Sequence, residues 1–215
     1  IDEFQQITEF ADSLSFQKQL RTVWQHQERV SYCLFGSKKH MMEGLFDDPS
    51  KPFYKFGDII YLKRIPLSYW EEYITGKFEA AGKAISANQI ERICQSVDYQ
   101  SSYVQQLCWY VYLFSDDVVT EQNIDAGVEE LIDQNTALFE SLTENLTPVQ
   151  MRFLKAVANG INNGFSSAEV ISKYKLGSSA ASVTTKKALL EKGLIYCEDG
   201  KCLLADPVMG LWINR

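Results

Sequence analysis

The sequence predicts a mixed α/β fold that is predominantly α-helical and is arranged in three segments. Three observations support this class. Two short apolar runs alternate with a helical stretch near the start of the chain. Apolar residues then recur at helical spacing over a long middle stretch. The remaining residues show three helices followed by an Asp-Gly turn between two short apolar runs.

The first segment, residues 1–66, has the pattern of a partial parallel α/β core. A helix is predicted over Ser15–Gln27, where apolar side chains recur at helical spacing. The apolar runs Arg29–Phe35 and Asp58–Ile65 are predicted to be buried strands, and a loop or short helix is expected over His40–Phe46. Strand, helix and strand in alternation are typical of a parallel sheet.

The second segment, residues 67–145, is predicted to be a small all-helical module with short loops. Ser86, followed by Gln89 three residues later, is a predicted capping start of the second of its helices. The predicted helices cover Ser68–Ala81, Ser86–Ser96, Ser101–Phe114 and Glu121–Leu142.

The third segment, residues 146–215, begins with Thr147-Pro148, an N-cap followed by proline at the first helical position. Three helices are predicted, ending near Asn159, near Tyr174 and at Lys192–Gly193. A hairpin around Asp199-Gly200 and a last short helix after Asp206-Pro207 follow. Three helices and a hairpin are the winged-helix pattern.

In DNA-binding winged helices the third helix enters the major groove. The candidate nucleic-acid face of that helix here consists of Ser179, Ser182, Thr185, Lys186 and Lys187. The helix has no Arg, Asn or Gln for bidentate base recognition, and Glu198 and Asp199 at the hairpin tip would repel phosphates. Contact with DNA and contact with protein both remain open interpretations.

Charge separates the segments. The net charge is −7, but residues 1–145 hold 12 Lys+Arg and 23 Asp+Glu, whereas residues 146–215 hold 9 and 5. This asymmetry indicates different partners for the two parts and favours nucleic acid as a partner of the third. No apolar run is long enough to span a bilayer and no signal peptide is visible, so no membrane partner is expected.

The five cysteines are widely spaced and form no C-x-x-C pair, so no disulfide framework is expected. Cys33, Cys94 and Cys108 lie in apolar stretches and are interpreted as small buried residues. The only histidines, His26 and His40, do not lie near a cysteine pair, which argues against a metal site of that kind. A reducing, cytoplasmic location is therefore expected.

Two adjacent acids, Asp2 and Glu3, follow an apolar residue at the start of the chain. At the end of a buried strand such a pair is costly unless it serves a cation or a reaction; acids in a loop or at a helix start are the alternative interpretation. About thirty residues later the apolar run ends at Gly36-Ser37. Ser37 has two interpretations, a cap of the following turn or a polar group of the same site.

Several blocks of sequence resemble the archaeal-type ATPase family, which is related to AAA and STAND nucleotide-binding proteins. The resemblance lies in the order and spacing of the blocks: Asp-Glu-Phe-Gln from residue 2, Phe-Gly-Ser-Lys-Lys-His-Met-Met from 35, Pro-Phe-Tyr-Lys-Phe-Gly from 52, Tyr-Val-Gln-Gln-Leu-Cys-Trp from 103 and Ala-Asp-Pro-Val-Met-Gly-Leu-Trp from 205. It implies a partial P-loop ATPase core with its Walker B and sensor 1 region, a helical lid and a winged-helix domain.

The resemblance also implies roles. Asp2 would hold Mg²⁺ through water, with no other metal expected, Glu3 would orient the attacking water, and Ser37 would act as sensor 1 at the γ-phosphate. ATP and Mg²⁺ are then the cofactors of a longer parent protein, not tight ligands of this chain. Asp98–Ser102 stands where a Gly-x-Pro signature is common, and Lys51 where an Arg is common, so a lid contact to nucleotide and an arginine finger are not supported.

The family pattern requires a G-x-x-x-x-G-K-[ST] phosphate loop roughly a hundred residues before the acid pair. No such motif occurs in the 215 residues, so the chain by itself is not expected to hydrolyse ATP. The strand that carries the loop would lie between the two predicted strands. Without it, exposed edges are expected to distort the first segment or to drive self-association.

Three functions follow. The leading one is the C-terminal part of a nucleotide-driven switch with a winged-helix effector. The alternatives are a winged-helix DNA-binding regulator without enzymatic activity and a protein-binding module.

Overall fold

The structure, a computed structural model, describes residues 1–37, 39–198 and 200–215, with the backbone alone for residues 39 and 40. The predicted class is confirmed, since 59% of the chain is helical and 5% is strand. The chain divides into two compact units, Ile1–Leu62 and Lys63–Arg215, called here the first and second units. Within the described residues no helix is both long and apolar enough to cross a membrane.

The first unit contains a 3₁₀ helix, Phe4–Glu9, and two α-helices, α1 (Ser13–Trp24) and α2 (Lys39–Phe46). Its core is small and aromatic. Phe4 and Phe53 are buried and meet edge to face with their ring centroids 5.4 Å apart, and Leu45 and Ile7 complete the buried set. A core of this size gives the unit little margin of stability.

The two predicted strands of this unit do not form. Among the described residues the only sheet is the hairpin of the second unit, so the expectation of a parallel sheet over Arg29–Phe35 and Asp58–Ile65 is wrong for this chain. A strand requires a neighbour to accept and donate its backbone hydrogen bonds. In the second run the side chains of Ile60 and Leu62 are 81% and 94% exposed, so no described neighbouring strand packs over them.

The second unit is built from helices that share one continuous core. Their bounds follow the predicted ones closely because caps and periodicity are local signals. Ser86 forms the expected capping box with Gln89, and Thr147, the expected N-cap before Pro148, forms a further capping box with Gln150. The helices are α3 (Leu67–Ala80), α4 (Ala87–Ser96), α5 (Ser101–Phe114), α6 (Glu121–Thr143), α7 (Pro148–Ala158), α8 (Ala168–Tyr174), α9 (Ser179–Glu191) and α10 (Pro207–Asn214).

A two-stranded antiparallel sheet, β1 (Ile195–Glu198) and β2 (Lys201–Leu204), stands between α9 and α10. Gly193 ends α9 with a positive φ of 69°, and the Leu194 amide donates back to the Leu189 carbonyl at 3.1 Å, which is a Schellman ending. The winged-helix arrangement predicted for residues 146–215 is therefore present. It shares its core with α3–α6, because α10 packs on both α6 and α7.

Candidate functional site

The start of the chain lies beside the end of the apolar run at residue 35. The Phe35 amide donates to the Ile1 carbonyl at 3.0 Å, and the Phe4 amide donates to the Phe35 carbonyl at 3.0 Å. The Ile1 nitrogen donates to the Cys33 carbonyl at 2.6 Å. This alternation is the bonding of a parallel pair, too short to count as a strand. It brings the acid pair and Gly36-Ser37 to one place.

Glu3 is the centre of this cluster. The Ser37 hydroxyl donates to Oε2 of Glu3 at 3.2 Å, although the two residues are 34 positions apart. The Gln5 side-chain amide donates to the same oxygen. Glu3 has φ 47° and ψ 41°, in the left-handed region that a non-glycine residue adopts at a cost of about 1 kcal/mol or more. The hydrogen bonds from Ser37 and Gln5 therefore hold the Glu3 carboxylate in place although the Glu3 backbone is strained.

Gln5 holds the Glu3 carboxylate through a hydrogen bond, and the sequence did not predict Gln5 as a residue of this cluster. It is 1% exposed, and its Oε1 has no hydrogen-bond partner in the described part of the chain. A Cβ added at Gly36 would lie 1.9 Å from that Oε1 and 3.1 Å from Sδ of Met42. Glycine is thus required at position 36 for this packing, which explains the residue that precedes Ser37.

Asp2 is exposed, and its Oδ1 accepts a hydrogen bond from the Glu3 amide at 2.7 Å. The described residues contain no group of three His, Cys, Asp or Glu side chains that could enclose a metal ion. Two carboxylates and a hydroxyl are the oxygen donors that Mg²⁺ prefers, and Mg²⁺ commonly keeps its waters and takes few protein ligands. The residues present therefore fit a water-mediated Mg²⁺ at Asp2, which stays a prediction.

Arg21 of α1 organises the Pro52–Gly57 block of the same unit. Its guanidinium donates to the carbonyls of Pro52, at 2.5 Å, and Tyr54, at 3.1 Å, and lies 5.2 Å from the Phe56 ring centroid. These contacts seat Phe53 in the core at 0% exposure. Residues 52–57 therefore have a structural role, because they pack on α1 through Arg21.

Tyr103 of α5 and Asp206 before α10, which belong to two other blocks, meet in the second unit. The Tyr103 hydroxyl donates to Oδ2 of Asp206 at 2.6 Å. The other carboxylate oxygen accepts from the amides of Val208 and Met209 and caps α10. Burial, reinforced by the hydrogen bond and charge of Asp206, raises the pKa of Tyr103 above its ordinary value.

Two of the five residues predicted to contact nucleic acid lie inside the fold. Ser182 is 1% exposed and donates to the Phe165 carbonyl at 2.7 Å, and Thr185 is 9% exposed. Their predicted role is corrected here, because both point toward the core side of α9. Ser179 and Lys187 are exposed and Lys186 is half-buried, so these three remain available for contact. Lys187 lies 3.8 Å from the Glu191 carboxylate.

The hairpin carries a disulfide between Cys197 and Cys202, which contradicts the expected absence of disulfides. The two cysteines face each other across β1 and β2, a proximity that their spacing in the sequence did not reveal. Cys33 is exposed rather than buried, whereas burial raises the pKa of Cys94 to about 11 and that of Cys108 to about 12. The predicted repulsive effect of Asp199 lies outside the described residues.

Comparison with known proteins agrees with this architecture. Residues 137–215 match the family described as "probable winged helix domain". The Walker-type ATPase PABY2304 of Pyrococcus abyssi is similar in structure, with a TM-score of 0.73 and 17% identity over the whole of this chain and 62% of that one. No curated protein sequence matches. The chain therefore ends in a winged-helix domain, shares its fold with part of a Walker-type ATPase, and spans 62% of the length of that protein.

Proposed function

We propose that this chain is the C-terminal part of an ATP-driven switch whose effector is the winged-helix domain. The observation that carries the proposal is the hydrogen bond between Ser37 and Glu3. The resemblance assigns one of these residues to Walker B and the other to sensor 1. A contact between them across 34 residues brings the two side chains to one place, as a shared γ-phosphate site needs, and this supports the proposal.

Each residue of the cluster around Glu3 has its own role in ATP hydrolysis. Asp2 would hold Mg²⁺ through water, and the ion would supply charge neutralisation at the phosphates of ATP. Glu3 accepts a hydrogen bond from the attacking water and aligns it. Ser37 donates to the γ-phosphate or to that water, and Gln5 holds the Glu3 carboxylate in place. The strained backbone at Glu3 supports this assignment, since such strain clusters at functional sites.

The phosphate loop is the part that the 215 residues do not contain. In the proposal it lies on an earlier segment of the same polypeptide, and residues 1–215 by themselves do not turn over ATP. The coverage of 62% of a Walker-type ATPase supports this arrangement. In the longer polypeptide the strand that carries the loop would lie beside residues 58–65 and cover the exposed side chains of Ile60 and Leu62. Self-association through the same exposed residues is the alternative.

The second unit provides a way to transmit the nucleotide state. Helices α3–α6 and the winged helix share one hydrophobic core, and the Tyr103–Asp206 hydrogen bond joins α5 to α10. Arg215 at the end of α10 also pairs with Glu129, at 3.4 Å, and Asp133 of α6. Residues 63–215 are therefore expected to move as one body, so that a displacement of the lid displaces the winged helix equally.

The test is ATP turnover by the full-length polypeptide, with Glu3→Gln as the key variant and Glu9→Gln as the matched control. Glu9 is an exposed acid of the same unit, at the end of the 3₁₀ helix. Glu3→Gln is expected to lower kcat by about a hundredfold or more with ATP still bound, because only the alignment of water is lost. Ser37→Ala should lower kcat by about tenfold, and Glu9→Gln should leave it unchanged.

Two results would contradict the proposal. One is turnover by residues 1–215 alone that disappears with Glu3→Gln, which would mean that no separate phosphate loop is needed. The other is an unchanged kcat for Glu3→Gln in the full-length polypeptide. Of the two alternative functions, DNA binding without enzymatic activity is favoured over protein binding by the net positive charge of residues 146–215.

A further inference from the structure

Four cations of the winged-helix domain line one open groove. The groove has a volume of about 610 Å³ and lies between α7 and the end of α8. No acidic side chain among the described residues lines it. Its lining consists of Arg152, Lys155, Asn159, Lys173, Tyr174 and Lys175, called here the α7–α8 groove. Four of the nine cations of residues 146–215 therefore face a single concavity.

Local structure explains why these residues come together. Arg152, Lys155 and Asn159 recur at helical spacing on the outer side of α7, opposite the buried Phe153, Leu154 and Val157. Lys175 ends α8 in the left-handed conformation with φ 53°. The Nε of Arg152 donates to the Lys175 carbonyl at 3.0 Å and ties the two sides of the groove together. The positions of these residues on α7 and at the end of α8 thus place the four cations around one groove, and Arg152 joins its two sides.

The four cations of the groove form no ion pair with a described carboxylate. In the described part of the chain, none of them has a carboxylate oxygen within 4.0 Å, whereas Arg64, Arg92 and Arg215 all form ion pairs. Like charges held at one site repel each other, and an anion from outside relieves that repulsion. The arrangement is the electrostatic footprint of a polyanion site.

The outer face of α9 is by contrast almost uncharged. Ser179, Ala180, Val183 and Thr184 are exposed there, and the one exposed cation, Lys187, lies near Glu191. Phosphate contacts supply most of the affinity of proteins for nucleic acid, so a face with one partly neutralised cation contributes little of it. The charge distribution therefore predicts that the outer face of α9 attracts phosphate weakly and that the α7–α8 groove attracts it strongly.

We propose that the α7–α8 groove binds the phosphodiester backbone of a nucleic acid, independent of base sequence. Arg, Lys, Asn and Tyr are side chains that contact phosphate oxygens. The row on α7 from Arg152 to Asn159 runs about 10 Å at 1.5 Å per residue, long enough to follow successive phosphates of one strand. This inference adds a partner to the winged-helix effector of the proposed function; its test contains no ATP, so either can fail without the other.

The test measures fluorescence anisotropy of fluorescein-labelled 20-base-pair duplex DNA, duplex RNA of the same length and single-stranded DNA, between 50 and 200 mM NaCl. If all four cations contact phosphates, the slope of log K against log salt should be about −3 to −4 for duplex DNA. The RNA and single-stranded arms identify which nucleic acid provides the backbone.

The key variant is Lys155→Ala with Lys173→Ala, and the control is Lys187→Ala with Lys192→Ala. All four side chains are exposed, so both pairs remove two charges from the same domain without opening the core. The groove variant should lose about tenfold or more in affinity at low salt and reduce the slope by about two. The control should change both by much less. Both variants should keep the wild-type melting temperature.

The inference is overturned by any of three results: no nucleic acid bound at 50 mM salt, a control that loses as much as the groove variant, or equal competition by polyglutamate at the same concentration of charge. The last result would mean a site for acidic peptides. Binding of all three nucleic acids with the groove variant uniformly weakened supports it, because backbone contacts carry no sequence information.

Discussion

The Tyr103 hydroxyl lies 2.6 Å from Oδ2 of Asp206 and donates a hydrogen bond to it across 103 residues of chain. The carboxylate that accepts this bond also caps α10 through the amides of Val208 and Met209. One side chain therefore both starts the last helix and joins it to α5. Removing either partner affects two elements of the second unit at once, which makes this pair a sensitive probe of its integrity.

Tyr103→Phe should lower the free energy of unfolding by about 2 kcal/mol, since a hydrogen bond to a charged group contributes about that much. Asp206→Ala should cost more, because the helix cap is lost as well, at about 1 kcal/mol. Tyr73→Phe is the matched control: this tyrosine of α3 is 50% exposed and should change stability little. Urea denaturation measures all three, and equal effects at positions 73 and 103 would contradict the assignment.

The same tyrosine predicts a pH dependence. Its pKa is raised in the folded state from an ordinary value of 10.0. The unfolded chain thus releases this proton at a lower pH than the folded chain does. The contribution to stability is complete below about pH 10 and is lost as the pH rises toward the folded pKa. Wild type should lose more stability than Tyr103→Phe between pH 8 and pH 11, and parallel curves would contradict this.

Gly127 of α6 packs directly against α5. A Cβ there would lie 3.1 Å from side-chain carbons of both Leu107 and Val111. Gly127→Ala is therefore expected to lower stability by about 1–2 kcal/mol through overpacking, despite the better helix propensity of alanine. Gly76→Ala in α3 is the control, since its Cβ would meet no atom within 4 Å and should raise stability by about 0.5–1 kcal/mol. Thermal unfolding should show a lower melting temperature for Gly127→Ala and a higher one for Gly76→Ala.

Gly36→Ala should disturb the cluster around Glu3, because its Cβ would collide with the buried amide of Gln5. The expected readout is faster amide hydrogen exchange over residues 1–10 and 30–37, with the second unit unaffected. Gly44→Ala in α2, where a Cβ meets nothing within 4 Å, is the control and should leave exchange unchanged or slower. Wild-type exchange in the Gly36 variant would show that the Gln5 packing is not needed.

Reduction of the Cys197–Cys202 disulfide should loosen the hairpin. The bridge closes a short loop, with a sequence separation of 5, so its loss is expected to cost about 2 kcal/mol. Wild type should therefore melt at a lower temperature with a thiol reductant than without it. The double variant Cys197→Ala with Cys202→Ala should show no such difference, and an equal shift there would point to another effect of the reductant.

The sequence by itself determined the elements whose signals are local. The caps at Ser86, Thr147 and Asp206 involve bonds between residues two or three positions apart, and helical periodicity spans a few turns. These features gave the helix bounds, the hairpin and the mixed, mainly helical class. The resemblance implies one site for Glu3 and Ser37, whereas the hydrogen bond between them joins residues 34 positions apart and no local pattern predicts it.

Only the tertiary structure decided the features that depend on which surfaces meet. It buried Ser182 and Thr185, paired Cys197 with Cys202, left the two apolar runs outside the described sheet, and gathered cations of α7 and α8 into one groove. Helical spacing shows that residues share a face but not what covers that face. A strand pattern likewise states a need for hydrogen-bonding neighbours, and only the fold determines whether the chain supplies them.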